Sequence, residues 1–146
     1  MVNGTSYRDG LTVNALAQMV YRLGDHCSTF QSDIGLDAEA KGAGTVDFQV
    51  WADNVMLYDS GVITGSSPTK TVRVGLNGYQ TLQLVVTDAQ DGITNDVADW
   101  ATLRSSADRE RPSNHTYASP ASKRMFAVVT ALMVGPKLLI SGKVAL

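Results

Sequence analysis

Three observations place this 146-residue chain in the all-β class, as an antiparallel β-sandwich over residues 3–104. Runs of alternating apolar and polar residues recur along it, and Gly and Asx residues suited to turns punctuate them. No helical period of adequate length appears before residue 104. With 44% hydrophobic and 18% charged residues, the composition is that of a globular chain with room for one core.

The elements follow in order. "MVYRL" and "STFQSDIGL" open the series, the second setting Phe30, Ile34 and Leu36 on one side. "GTVDFQVW" puts Val46, Phe48 and Val50 on one face and Thr45, Asp47 and Gln49 on the other. Trp51 alternates with Val50, which sends it to the outer face or over a sheet edge. "WADNVMLYDSG" predicts a hairpin with Asp53-Asn54 at its tip. "TKTVRVGL" aligns Val72, Val74 and Leu76, and "TLQLVVT" aligns Leu82, Leu84 and Val86. Asn77-Gly78 between them predicts a second hairpin, because both residues tolerate positive φ. Strands this short, at this spacing, stack as a sandwich.

Beyond residue 104 the chain changes character. Residues 105–124 are polar and carry Pro and Ser, and read as a linker or disordered segment. Residues 125–146 form an apolar tail that Gly135-Pro136-Lys137 interrupts. A bilayer crossing takes about 20 consecutive apolar residues, so no membrane span is expected. A short helix or strand docking on the body, or a segment foreign to the domain, remain the two readings of the tail. Charge divides along the same line. Residues 1–104 hold six Lys/Arg against twelve Asp/Glu, and the remainder six against two. An acidic body repels phosphate backbones, so no nucleic acid partner is expected. The single cysteine, Cys27, excludes an intramolecular disulfide and reads as a small buried apolar residue. "MVNGTSYRDG" lacks the apolar stretch of a signal peptide.

The acidic segment "DAQDGITNDVADW" carries the candidate chemistry. Calcium takes six to eight oxygens, and Asp88, Asp91 and Asp96 around Gly92 offer several, with Asp33, Asp37 or Glu39 as further donors. The opposing reading makes these aspartates turn formers bonded to their own backbone. Trp100 likewise has two readings. Its ring either packs on the C–H face of a sugar, with Asp99 and Asp96 accepting hydroxyls, or fills the core. Tyr58 reads as packing. "NGT" at 3–5 and "NHT" at 114–116 fit the glycosylation acceptor pattern, which is common by chance. Catalysis finds little support: His26 and His115 sit in no nucleophile–base motif, and no Gly-rich phosphate loop is present.

Taken in order, "SDIGLDAEA", "VDFQVWAD", "LYDSGVITG", "LQLVVTDAQDGI" and "DVADWA" resemble the NPCBM domain, a carbohydrate-binding module of family 51 type attached to bacterial glycoside hydrolases such as α-galactosidases. The resemblance covers about residues 3–104. It implies a jelly-roll β-sandwich, a lectin-like module for galactose-type sugars, a structural calcium and an extracellular, secreted parent protein. Where the family shows "GLGVHA" this chain has "GLTVNA", and where it shows "DHADWA" this chain has "DVADWA". Asn14 and Val97 thus stand in the places of two histidines; Asn14 still donates and accepts hydrogen bonds, whereas Val97 does neither. The family domain also begins upstream of "NGTSY", which implies a sandwich lacking its first strand or strands, with an open edge.

On this resemblance the two histidine motifs converge, folding the acidic segment back on "GLTVNA". Asn14, Asp96, Asp99 and Trp100 become the carbohydrate-binding set, and Asp88, Asp91 and Asp37 the calcium set. The expected partners are a carbohydrate ligand and the glycoside hydrolase catalytic domain of a parent protein. The alternative is a structural or protein-interaction β-domain that has lost sugar binding along with the two histidines.

Overall fold

The computed structural model describes residues 2, 5–24, 27–38 and 43–107, and the backbone of 126–127. Among the described residues nine strands follow in chain order: β1 (Gly10–Asn14), β2 (Ala17–Arg22), β3 (Cys27–Leu36), β4 (Thr45–Ala52), β5 (Val55–Thr64), β6 (Lys70–Gly75), β7 (Thr81–Thr87), β8 (Val97–Ala107) and β9 (Phe126–Ala127). They make two antiparallel sheets, one ordered β1-β8-β3-β6 and the other β5-β4-β7-β2-β9. Strands β1 to β8 fill the eight positions of a jelly roll, four to a sheet.

In this topology β4–β5 is the one connection between consecutive strands β1 to β8 that stays within a sheet. Its turn has φ of 44° at Asp53 and 67° at Asn54, the left-handed pair that matches the twist of a tight hairpin. The Asp53 carboxylate then accepts from the Gln80 and Thr81 amides at 2.9 and 2.8 Å, tying the hairpin tip to the start of β7. These bonds hold its carboxyl below the usual carboxylate range.

The hairpin expected at Asn77-Gly78 needs correction. A turn is there, closed by the Tyr79 amide on the Leu76 carbonyl at 3.2 Å, but it links strands of different sheets. Gly78 has φ of 82° and Asn77 is not in the left-handed region. That is the signature of a type II turn, which carries the chain over the end of the sandwich.

Alternation gives the core. Phe30, Ile34 and Leu36 from β3, Val46, Phe48 and Val50 from β4, Val72 and Val74 from β6, and Leu82, Leu84 and Val86 from β7 all point between the sheets and are buried. Each such side chain contributes about 1.5–3 kcal/mol on leaving water. Ser32 shares the β3 inner face; its hydroxyl donates to the Ala101 carbonyl at 2.9 Å, so its burial leaves no unmet donor. Cys27 is half-buried rather than buried, with its thiol donating to the Leu23 carbonyl at 3.5 Å.

The expected boundary at 104 also moves. Strand β8 runs on to Ala107, which pairs with Cys27, so residues 105–107 are sheet and not linker. Phe126 and Ala127 pair with Arg22 and Tyr21, adding a short strand beside β2. The rest of the linker and apolar tail, His26, Glu39, His115 and the asparagines of both glycosylation patterns lie outside the described residues. Among the described residues no helix is long and apolar enough to cross a membrane.

Candidate functional site

The two motifs meet. β1 and β8 are antiparallel neighbours with Leu11 opposite Trp100, Thr12 opposite Asp99 and Asn14 opposite Val97. The Ala15 amide donates to the Asp96 carbonyl at 2.9 Å, and the Asp37 amide to the Val97 carbonyl at 2.8 Å. Asn14 and Val97, the residues in the places of the family's histidines, are thus cross-strand partners on the outer face of the four-stranded sheet.

Strand parity then sorts the side chains. Leu11, Val13, Ala98 and Trp100 point into the core. Trp100 is 0% exposed, with its ring edge-on to Phe48 at 5.0 Å and tilted against Phe30 at 6.3 Å. It cannot offer a face to a sugar, so the stacking role expected of it is corrected to a core role. Its indole Nε1 is buried with no partner among the described residues. Leaving such a donor unmet costs about 1–3 kcal/mol, which the aromatic packing offsets.

Asp99 points outward but is only 5% exposed. Thr12 donates its hydroxyl to Asp99 Oδ1 at 2.5 Å. Burial pushes the Asp99 carboxyl above the usual carboxylate range; the Thr12 bond lowers it and the adjacent Asp37 carboxyl raises it.

Asp96 is 1% exposed and acts as the hub of three loops. Its backbone carbonyl holds the β1–β2 turn, and its Oδ1 accepts from the Thr45 amide at 3.0 Å, holding the start of β4. The approach depends on Gly44, at φ of 106°: a Cβ there would lie 2.4 Å from the Asn95 carbonyl oxygen. Oδ2 of Asp96 has no partner among the described residues. Burial raises the Asp96 carboxyl, the Thr45 bond lowers it, and the charges of Asp91 and Asp88 raise it again.

The expected calcium set does not assemble. Among the described residues no group of three or more His, Cys, Asp or Glu side chains is placed to hold a metal. Asp37 pairs with Asp99. Asp91 accepts the hydroxyl of Thr45, 46 residues away, while Asp88 Oδ1 accepts the Gln90 amide at 3.1 Å, the bonding of a turn former. The orphaned Asp96 Oδ2 is the one observation that fits a cation nearby.

Of the four residues expected to bind carbohydrate, Asn14 alone is exposed. Leu16, 41% exposed, follows it in the β1–β2 turn; Ile93, 48% exposed, lies in the β7–β8 loop that Asp96 ties to that turn. Thr12, Gly44 and Thr45 belong to the site although they lie outside the sets that the sequence suggests. Thr12 alternates with Leu11 and Val13, a signal that was available. Nothing local links Thr45 to Asp96, 51 residues away.

Comparison with known proteins is consistent with this geometry. The profile of the NPCBM/NEW2 domain matches residues 1–105. A Renibacterium salmoninarum protein carrying the name endo-alpha-N-acetylgalactosaminidase is 34% identical over 105 residues, covering 70% of this chain but 7% of its own length. Among solved structures, the CBM51 of Clostridium perfringens GH95 in complex with methyl-galactose superposes with a TM-score of 0.67 at 33% identity, covering 70% of this chain and 72% of that one. The CBM51-2 and INT domains of Clostridium perfringens ZmpB, solved with GlcNAc, share the fold at a TM-score of 0.66 and 24% identity, over 70% of this chain and 23% of that one.

Proposed function

Because the chain belongs to the NPCBM/NEW2 domain family, we propose that it is a non-catalytic carbohydrate-binding module that holds a parent glycoside hydrolase at its glycans. The observation that carries this reading is the fold match, at 33% identity, to a CBM51 solved with methyl-galactose. Galactose-terminated glycans are the ligand class, and an extracellular location for the parent protein follows from that substrate. The chain spans about 7% of the length of its curated relative, so hydrolysis is assigned to the remainder of such a parent.

The binding surface is the rim where Asn14 stands beside Val97, with Leu16 and Ile93 as apolar flanks. The Asn14 amide supplies a donor and an acceptor for vicinal hydroxyls. Asp96 and Asp99 act beneath it as positioning residues, fixing the loops through Thr45 and Thr12. A glycan array and titration with methyl-galactoside test this. A Kd near 1 mM corresponds to about −4 kcal/mol, and Asn14→Ala is expected to abolish binding at that concentration. Silence across galactosides favours the second reading, a β-domain without sugar binding, for which the burial of Trp100, Asp96 and Asp99 speaks.

Calcium enters the proposal only at Asp96, where Oδ2 lacks a partner and Asp91 and Asp88 add negative charge. A cation there would satisfy that oxygen. Bound at a hundredfold excess over its Kd it would stabilise the fold by about 2.7 kcal/mol. Melts in calcium and in chelator should differ; coincident curves remove calcium from the reading.

A further inference from the structure

A second surface carries groups suited to the same kind of ligand, at a different place. The outer face of the five-stranded sheet is built from outward residues of β5, β4, β7 and β2, in register. One row runs Met56, Trp51, Gln83, Val20, and the next Asp59, Gln49, Val85, Gln18. Side chains on these rows are already hydrogen-bonded to one another. Trp51 Nε1 donates to Gln49 Oε1 at 3.0 Å, and Gln49 Nε2 donates to Asp47 Oδ2 at 3.1 Å and Asp59 Oδ2 at 3.3 Å. Ser60 donates to Asp47 Oδ1 at 3.1 Å, and the Gly61 amide to Asp59 Oδ1 at 2.8 Å.

We propose that this face is a second carbohydrate-binding surface, centred on Trp51, that takes a glycan chain across β4. Three features favour a polyhydroxylated ligand. The indole is only partly buried, on the outer face, and its nitrogen is tied to Gln49, so the ring is oriented before a sugar arrives. An aromatic face packs the C–H patch of a pyranose. Two carboxylates flank the amide that joins them, and each keeps acceptor capacity after the bonds above, since an ionised carboxylate accepts about four hydrogen bonds. Vicinal hydroxyls are donors that such a ladder accepts without displacing it. A protein partner would instead have to desolvate Asp47 and Asp59 without a matching cation, which is costly. This surface is distinct from the Asn14 rim, which lies on the other sheet, and it stands whether or not that rim binds sugar.

Two tryptophans make the test selective, because Trp100 is enclosed in the core. Two-dimensional NMR of the full chain would follow both indole N–H signals and the Asn14 amide. Methyl-galactoside, N-acetylglucosamine and a galactose-terminated tetrasaccharide serve as probes at millimolar concentration. The expected result is a saturable shift of the Trp51 signal with the tetrasaccharide, no shift at Trp100, and the same Trp51 response in Asn14→Ala. Trp51→Ala and Asp59→Asn should each weaken binding by tenfold or more while the Trp100 indole signal keeps its position, which reports that the core stays folded. A Trp51 signal that stays still with every probe overturns the proposal, as does one that moves only while Asn14 is intact. A shift that follows protein concentration instead of saccharide makes this face a self-association surface and overturns it equally. A still Asn14 amide beside a moving Trp51 signal would count against the rim alone.

Discussion

Trp51 and Trp100 look alike in the sequence, each followed by Ala and each within two residues of Asp, yet the fold sets Trp51 on the outer face of one sheet and Trp100 on the inner face of the other. Trp100 stands opposite Leu11 and Ile34 and is fully enclosed between Phe30 and Phe48. Trp51 stands opposite Gln83 and Met56 and lies on the outer surface, anchored by Gln49. An aromatic residue beside an acid is therefore not by itself a sugar platform. Strand parity, which is a property of pairing, decides whether the ring meets solvent.

The largest effect expected from breaking this contrast is Trp100→Ala. Removing a fully buried indole leaves a cavity among Phe30, Phe48 and their neighbours and should cost about 3–5 kcal/mol, read by urea denaturation. Trp51→Ala should cost less, about 1–2 kcal/mol, since part of its ring already meets water. Equal losses would mean that Trp51 is structural, and the sheet-face surface would lose its centre.

Gly44→Ala probes the other end of the comparison, the rim that Asp96 organises. An alanine there must adopt φ near 106° with its Cβ against the Asn95 carbonyl, or push the β3–β4 loop away from Asp96. The expected cost is roughly 1–3 kcal/mol, with disturbed Asn14 chemical shifts and an unchanged Trp51 signal. A shift at Trp51 would show that the two surfaces are coupled.

The smallest effect is electrostatic and concerns the same rim. Because Asp99 titrates above its ordinary range when folded, the folded state holds its proton more tightly than the unfolded chain does. Stability from this group is present below the unfolded pKa and is lost as pH rises through the folded one. Asp53 has the opposite sign, its contribution being present above the unfolded pKa and lost as pH falls through the folded one. Asp99→Asn keeps an acceptor for Thr12 and removes the charge beside Asp37. It should flatten the fall in melting temperature above the carboxylate range and raise stability at pH 7. A variant with the slope of the parent would show that Asp99 is ordinary in the folded state.

Much of this was legible in one dimension. Alternation over Val46–Val50, Val72–Leu76 and Leu82–Val86 fixed which residues face the core, because a side-chain period of two is local. Asp53-Asn54 likewise announced its turn, because tolerance of positive φ belongs to the residues themselves. β1 and β8 were harder. β1 is five residues long, and in β8 the outward Asp99 is nearly as buried as the inward Ala98 and Trp100, so no alternation of exposure marks the strand.

What the sequence by itself determined, then, is the class of fold, the inward faces of its longer strands, the places where the chain turns and the family to which the motifs belong. The tertiary structure decided what those pieces do. It made Asn77-Gly78 a passage between sheets, enclosed Trp100 while leaving Trp51 on an outer face, and set Asp37 against Asp99. It also joined Thr45 to Asp96 across 51 residues. The reason is the reach of the forces. Backbone preference and side-chain period act over a few residues, whereas burial and charge depend on what another strand, distant in sequence, sets opposite.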